Sequence, residues 1–179
     1  FDERSILETP PMVVDQAASA EAFVAGVGKI LAPVRFSGGS DPRVGSLFAG
    51  VWVAGVLGAA VQAGLEGMAF ADAFEPGTPA WHVLQDFLDL PAALFAPLAA
   101  CGLYGWRAVS GVRERWVVAN ASDEPREWKV PGEGFTVRTL DASSFGAARS
   151  ALQAFRSGGA SAEPSVRLNA YAIATLDRG

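Results

Sequence analysis

The sequence predicts an α/β unit with parallel strands, followed by an all-β antiparallel domain. In the first half, helical stretches alternate with short apolar runs, which is the order of a parallel sheet covered by helices. After Pro97, short extended segments alternate with turn clusters, which is typical of an antiparallel sandwich. A domain boundary is therefore predicted there, giving domains 1–97 and 98–179.

Two strand candidates lie in the first half, at residues 27–36 and 67–74. Each is nearly continuously apolar, as expected for strands that helices cover on both faces. Helices are predicted at residues 5–26, 44–65 and 81–90. The second should begin with Asp41 as its cap and Pro42 in its first turn. The third has apolar residues at helical spacing, namely Trp81, Leu84, Phe87 and Leu88, and should expose Asp86 and Asp89.

Six strand candidates follow in the second half, and the last is expected to pair inside the domain. They are residues 106–109, 114–120, 126–130, 136–140, 165–168 and 171–176. Either Trp116 or Trp128 is expected in the core. Residues 157–162, which are rich in glycine, serine and alanine, should form a loop.

Composition and charge limit the partners. Half of the 179 residues are hydrophobic, and 18% are charged, against about 25% in an average soluble domain. This favours a chain that packs against further protein. The net charge of −5 argues against nucleic acid as a partner. Residues 1–106 hold four basic and 11 acidic side chains, whereas residues 107–179 hold ten and eight.

Residues 44–65 carry no charge and are long enough to span a bilayer. The stretch is nevertheless rich in glycine and alanine, contains Gln62, and lacks a flanking basic cluster. We therefore expect a helix buried against a sheet, with a membrane span as the less favoured alternative.

No cofactor is predicted. The sequence has no GxGxxG motif, no phosphate-binding loop and no CxxC pair, and its single histidine excludes a His-rich metal site within this chain. The single cysteine, Cys101, is expected to be a buried, inert thiol. No leader is visible at the start, which leaves the compartment open, with the cytoplasm favoured.

Several short motifs resemble the end of a glycoside-hydrolase-like (β/α)8 barrel enzyme with a C-terminal β-domain, and more closely the D-apionate lactonase type of sugar-acid lactone hydrolase. They are residues 1–5 (FDERS), 33–36 (PVRF), 41–48 (DPRVGSLF), 81–84 (WHVL) and 117–121 (VVANA). The resemblance implies strands six to eight of a (β/α)8 TIM barrel, followed by an antiparallel β-sandwich-like domain. We therefore expect a C-terminal fragment that is inactive without the remaining N-terminal barrel half.

Candidate catalytic residues lie at the far end of the second strand candidate, because barrel chemistry lies at the carboxyl ends of the strands. Asp72 and Glu75 are predicted as the catalytic carboxylates, the alternatives being a loop cap and a solvated charge, which is favoured for Glu75. Relatives carry a Glu-Thr-Thr-Gly-Trp-type segment, which residues 72–76 (DAFEP) replace, so that Asp72 takes the place of the Glu. Barrel glycosidases also carry a Glu after strand seven, where this chain has Arg35. These departures point to non-standard chemistry or to lost activity.

Substrate-binding roles are predicted for Asp2, Arg35 and His82. Asp2 would follow strand six and bind hydroxyl groups, and the guanidinium of Arg35 would hold a carboxylate or lactone carbonyl. The alternatives are a solvated charge for Asp2 and a structural ion pair for Arg35. For His82, on a helix face, a buried, hydrogen-bonded role is the more common one.

Three functions remain open from the sequence. The first is the end of a hydrolase that acts on a sugar-acid lactone or a glycoside, which are small-molecule carbohydrates. The second is a non-catalytic carbohydrate-binding or scaffold protein of the same ancestry. The third is a membrane-associated fragment, which depends on residues 44–65 alone.

Overall fold

A computed structural model describes residues 30–34, 42–65, 67–70, 74–90, 92–98 and 102–179. Within these ranges, two long helices and a small parallel sheet precede a larger antiparallel β-domain, defined here as strands β3 to β10. The helix predicted over residues 5–26 and the thiol of Cys101 lie outside the described residues.

Strands β1 (Ile30–Val34) and β2 (Gly67–Phe70) pair in parallel. The register joins Ile30 to Gly67 and Val34 to Phe70, with one irregularity between. The parallel pairing predicted from the sequence is confirmed. Of the predicted strand 67–74, the structure describes β2 over Gly67–Phe70, and the Phe70 and Phe74 rings meet edge to face with centroids 5.7 Å apart.

Helix α1 (Leu47–Ala63) connects these two strands and is buried on nearly every side. It begins after Ser46, because Pro42–Gly45 form a short 3-10 turn instead of the predicted first helical turn. It ends at Gly64, which has a φ of +68° and whose N–H donates to the carbonyls of Ala60 and Val61. Glycine suits this left-handed cap because it has no Cβ to clash.

The small residues of α1 allow close contact with its neighbours. A Cβ on Gly58 would lie 2.4 Å from the Gly105 carbonyl oxygen of strand β4, and one on Gly50 would lie 2.7 Å from Pro79 Cβ of the next helix. The predicted buried helix is therefore confirmed. In the part of the chain that the structure describes, no helix has the length and apolar character needed to cross a membrane.

Helix α2 (Pro79–Leu88) begins where Thr78 accepts a hydrogen bond from the Trp81 amide, with proline at its first position. The helix is confirmed, and of its apolar residues at helical spacing Leu84 and Phe87 are partly buried against the core. Leu88 is 67% exposed, and the fully buried positions lie on another face. They are Pro79, Ala80, His82, Val83 and Asp86. This face is buried because it lies between helix α1, where Pro79 packs against Gly50, and the β-domain, which contacts His82 and Asp86.

Six strands form the main sheet of the β-domain, in the order β3-β4-β5-β10-β7-β8 and antiparallel throughout. They are β3 (Leu94–Pro97), β4 (Leu103–Ser110), β5 (Arg113–Asn120), β7 (Thr136–Leu140), β8 (Ala160–Ser161) and β10 (Ile173–Arg178). A second sheet pairs β6 (Arg126–Lys129) with β9 (Ser165–Leu168). The predicted antiparallel domain is confirmed, and its last strand lies between β5 and β7.

The main sheet has a core on each face. Helices α1 and α2 cover one face, where Trp52 and Trp106 are fully buried. The β6–β9 pair covers the other face, around Phe135, Leu168 and Leu176. Trp116 and Trp128, the predicted core tryptophans, are only partly buried at the edge of this second core. The two rings pack against each other with centroids 5.7 Å apart, and Trp116 is covered on its other contact by the partly exposed Arg107 guanidinium instead of by core residues alone.

Three features of the β-domain differ from the sequence prediction. Strand β3 was not predicted, and it joins the main sheet ahead of the boundary placed after Pro97; the boundary itself stays a prediction. Two short helices, α3 (Phe145–Ser150) and α4 (Leu152–Ser157), lie between β7 and β8. Within the predicted loop 157–162, Ala160–Ser161 pairs with β7. We call α3 and α4 together the helical pair.

Asp141 starts this helical pair. Its Oδ1 accepts hydrogen bonds from the amides of Ser143 and Ser144 at 2.9 and 3.1 Å, and its Oδ2 accepts one from the Asn169 side chain at 3.2 Å. Burial by itself raises the pKa of Asp141, but these hydrogen bonds outweigh it and hold the pKa below its ordinary value. Short polar residues therefore turn the chain out of β7 into α3.

Candidate functional site

The carboxyl ends of β1 and β2 form one edge of the parallel sheet. Val34 and Phe70 are paired there, and each is the last residue of its strand. In the sequence, Arg35 follows Val34 directly and Asp72 follows Phe70 by two residues. Arg35, Asp72 and also Asp2 lie outside the described residues, so their predicted roles stay predictions.

Glu75 lies in the loop between β2 and α2, and its side chain is exposed. Its carbonyl oxygen accepts hydrogen bonds from the Thr78 amide at 3.1 Å and from Thr78 Oγ1 at 2.7 Å. The same Thr78 oxygen accepts from the Trp81 amide. Residues 74–78, called here the acidic loop, are thus tied to the first turn of α2.

His82 is 2% exposed and lies on the face of α2 that meets the β-domain. Its Nε2 donates to the Ala148 carbonyl oxygen at 3.0 Å, and Nδ1 has no hydrogen-bond partner within the described residues. Burial lowers the pKa of His82 below its ordinary value of 6.5, so the ring is neutral at pH 7. This is the buried, hydrogen-bonded position that the sequence favoured; direct contact with a substrate stays a prediction.

Asp86 is also 2% exposed, one turn of α2 beyond His82, and the expectation that it is solvated is wrong. Arg138 Nη2 donates to both of its carboxylate oxygens, at 2.7 and 2.6 Å. Thr175 Oγ1 donates to Oδ2 at 2.7 Å, and Arg156 Nη2 lies 3.1 Å from Oδ1. The carboxylate is buried because the β-domain supplies donors for both of its oxygens.

Further charges surround Asp86. Arg115 Nη1 donates to the Asp86 carbonyl oxygen at 2.9 Å, and its Nε donates to Asp177 at 2.6 Å. Arg156 pairs with Asp89. Burial by itself would lower the pKa of Arg115. The carboxylates around it outweigh burial and raise the pKa above its ordinary value, so Arg115 stays charged. We call these three arginines and three aspartates the ion cluster.

Sequence reasoning missed the ion cluster, although one property of the sequence pointed to it. The first part of the chain has an excess of acidic residues and the second an excess of basic ones. Asp86 and Asp89 come from the acidic part, and Arg115, Arg138 and Arg156 come from the basic part. Complementary charge between two packed parts predicts ion pairs across their contact, although it does not identify which residues form them.

An apolar cavity of about 260 Å³ lies between α1, β2, α2 and β3. It is lined by Leu57, Ala60, Val61, Leu65, Met68, Phe87 and Phe95. Its lining has no titratable group, so the cavity supplies no catalytic chemistry. Within the described ranges, no group of three or more histidine, cysteine, aspartate or glutamate side chains is arranged to hold a metal ion.

The β-domain has a recognisable relative. Residues 103–176 match the family described as D-apionate lactonase, C-terminal immunoglobulin-like domain. The match begins with strand β4 and ends within β10. The resemblance to this type of lactonase is therefore confirmed for the β-domain; for the first hundred residues it stays a prediction. No sequence among the curated proteins matches this chain.

Solved structures of glycoside hydrolases share the fold. A family 44 endoglucanase, Cel44A from Clostridium thermocellum, aligns over 98% of this chain with a TM-score of 0.63 and 12% identity. A family 44 xyloglucanase from Paenibacillus polymyxa gives a TM-score of 0.63 at 10% identity over the same share, and a family 30 endoxylanase from Clostridium papyrosolvens gives 0.59 at 14% over 93%.

This chain covers 41% of each family 44 structure and 46% of the family 30 structure. It therefore spans less than half the length of the proteins that it resembles. At these identities the likeness concerns the fold alone. The family match and the shared fold together support a β-domain of the kind that carbohydrate-active enzymes carry.

Proposed function

We propose that this chain forms the last strands of a TIM barrel together with the C-terminal β-domain of a hydrolase that acts on a sugar-acid lactone. A glycoside is the second substrate class to test. The match of residues 103–176 to the C-terminal domain of D-apionate lactonases carries the proposal. The fold shared with glycoside hydrolases supports a barrel as the neighbour of this β-domain.

The register of the parallel sheet supports a site at its carboxyl edge. Val34 and Phe70 are paired at the ends of their strands, and adjacent strands lie about 4.8 Å apart. In our proposal, Arg35 and Asp72 therefore follow from neighbouring points on the edge where barrel enzymes hold their substrates. A guanidinium and a carboxylate would face the same small molecule.

The proposed chemistry needs one base, one acid and one oxyanion donor. Asp72 would accept a proton from a water molecule while the water oxygen attacks the lactone carbonyl carbon. Arg35 would stabilise the negative charge that develops on the carbonyl oxygen. The ring carbon–oxygen bond then breaks, the ring oxygen takes a proton from Glu75 or solvent, and the product is the open hydroxy acid. Asp2 would bind substrate hydroxyls.

Activity assays on the complete protein test this proposal. Five- and six-membered sugar-acid lactones, D-apionate lactone among them, are compared with xylan and β-glucan oligosaccharides. Asp72→Asn should lower kcat/KM for the lactone by about 10²–10⁴-fold, the usual contribution of a positioned acid or base. Glu75→Gln should have a smaller effect, because Glu75 is exposed and lies farther from the strand end.

Glu133→Gln is the matched control, since Glu133 is an exposed carboxylate in a turn of the β-domain. It should leave the lactonase activity unchanged. If the protein turned over glycosides but not lactones, the proposed activity would change from a lactonase to a glycoside hydrolase. Binding of a sugar without turnover of either class would favour the non-catalytic alternative. Full activity of Asp72→Asn would show that the catalytic carboxylate lies on another strand.

A further inference from the structure

The helical pair of the β-domain lies directly against the acidic loop. A Cβ on Gly77 would be 3.1 Å from Arg149 Cα, from the Arg149 carbonyl oxygen and from Leu152 Cδ2. Gly77 also has a φ of +86°, which other residues rarely adopt. The loop therefore passes so close to the helical pair that a side chain at position 77 would force its neighbours to shift, in a backbone conformation that favours glycine.

The contact continues along α2. His82 Nε2 donates to the Ala148 carbonyl oxygen of α3, and the His82 and Phe155 rings meet edge to face at 5.1 Å. Arg156 of α4 donates to the His82 carbonyl oxygen at 3.4 Å and lies over the Trp81 ring at 5.5 Å. The first two turns of α2 are thus held by side chains and backbone of the helical pair.

The helical pair is itself held by the β-domain. Arg138 of strand β7 donates through Nη1 to the Arg156 carbonyl oxygen at 2.7 Å and through Nη2 to Asp86. Asp141 fixes the start of α3. A continuous set of contacts therefore runs from the main sheet through the helical pair to Gly77 and the acidic loop.

We propose that the helical pair is a positioning element of the active site, which fixes the acidic loop against the β-domain. This inference rests on the proposed function, because the acidic loop follows the strand end that would carry Asp72. Gly77 and Leu152 are its positioning residues. The β-domain would then take part in catalysis by holding the loop in place rather than serve only as an appended module.

Amide hydrogen exchange of the complete protein tests the contact without any substrate. Leu152→Ala removes the side chain that touches Gly77, and Gln153→Ala, an exposed neighbour in the same helix, is the control. Leu152→Ala should speed exchange of the Thr78, Trp81 and His82 amides by about tenfold, while strands β5 and β10 keep their protection. Unchanged exchange in residues 74–82 would overturn the proposal.

Kinetics then separate positioning from stability. Gly77→Ala should lower kcat for the hydrolysed substrate by about 100-fold, the cost of misplacing a catalytic group by about 1 Å, with KM little changed. Gly134→Ala is matched for backbone strain, since its φ is +79° and its nearest neighbour lies 3.7 Å from the added Cβ. It should leave kcat unchanged.

The two outcomes are distinguishable. If Leu152→Ala loosens the acidic loop but the protein hydrolyses neither substrate class, the proposed function fails and the contact stands as structural only. If the protein is a hydrolase and Gly77→Ala keeps its kcat, the positioning role is wrong while the function holds. An equal loss of kcat in Gly134→Ala would also reject it, because strain alone would then explain the effect.

Discussion

Asp86 of helix α2 and Arg138 of strand β7, 52 residues apart in sequence, form a buried ion pair in which both carboxylate oxygens accept hydrogen bonds from one guanidinium nitrogen. Side-chain exposure is 3% for Asp86 and 9% for Arg138. Such a pair contributes little net stability relative to apolar residues, but breaking it leaves an uncompensated buried charge. Its main consequence is a fixed position of α2 on the β-domain.

Asp86→Asn should therefore destabilise the protein by about 3–5 kcal/mol. The variant leaves Arg138 and Arg156 facing each other without the carboxylate that separates their charges. Asp89→Asn removes a carboxylate of the same cluster that is 42% exposed, and it should cost about 1 kcal/mol or less. Urea unfolding of both variants measures the difference, and equal losses would contradict the assigned role of Asp86.

His82 should make stability depend on pH in a defined window. The unfolded chain takes up a proton near the ordinary pKa of 6.5, while burial keeps the pKa of His82 lower in the folded state. The unfolded state then binds more protons, so stability falls as pH drops below 6.5, by up to about 1.4 kcal/mol per pH unit, until the folded pKa is reached.

Comparison with His82→Gln isolates this effect. Glutamine retains a donor for the Ala148 carbonyl oxygen but does not titrate. The free energies of unfolding of wild type and His82→Gln, measured from pH 7.5 to 5, should converge as the pH falls. Glu114 and Asp141 do not contribute to the change between pH 7.5 and 5. Hydrogen bonds outweigh burial and hold both of their pKa values below the ordinary values, so these groups titrate at lower pH. Parallel curves would mean that His82 titrates alike in both states.

The strands of the β-domain were predictable because each is a short local pattern bounded by turn residues, as at residues 114–120 and 136–140. The burial of Asp86 was not, because it depends on arginines that are 52 and more residues away in the sequence. Leu88 shows the converse error: helical spacing groups it with Leu84 and Phe87, which pack against the core, whereas Leu88 itself is exposed. Periodicity gives the element, and tertiary contacts decide which side is covered.

Asn120 should be a major stabilising residue of the β-domain. Its side-chain amide donates to the carbonyl oxygens of Glu124, Leu168 and Asn169 at 2.7, 3.2 and 2.9 Å, and its Oδ1 accepts from the Ser122 amide and hydroxyl. Asn120→Ala leaves these groups unpaired, among them the carbonyl oxygen of the buried Leu168, at about 1–3 kcal/mol for each group that water cannot reach. We expect a total loss of about 3 kcal/mol.

Asn120→Asp should be at least as damaging as Asn120→Ala, because it places carboxylate oxygens against three carbonyl oxygens. Asn169→Ala is the control, since Asn169 is exposed and its side chain donates to Asp141 at 3.2 Å. Thermal unfolding of the complete protein ranks the three variants. A similar melting temperature for Asn120→Ala and Asn169→Ala would show that water or local rearrangement replaces the bonds of Asn120.

Gly58→Ala tests how closely α1 must approach the main sheet. In most helices this substitution is favourable by about 1 kcal/mol, because alanine has the higher helix propensity. Here the new Cβ would lie 2.4 Å from the Gly105 carbonyl oxygen, and neither group is the end of a flexible side chain. The helix or β4 has to move, at about 1–3 kcal/mol for overpacking a core.

Gly146→Ala provides the opposite case, since nothing lies within 4 Å of the added Cβ in helix α3. Urea unfolding should show Gly58→Ala destabilised and Gly146→Ala unchanged or slightly stabilised; if both variants gain stability, α1 packs against the β-domain less closely than its glycines indicate.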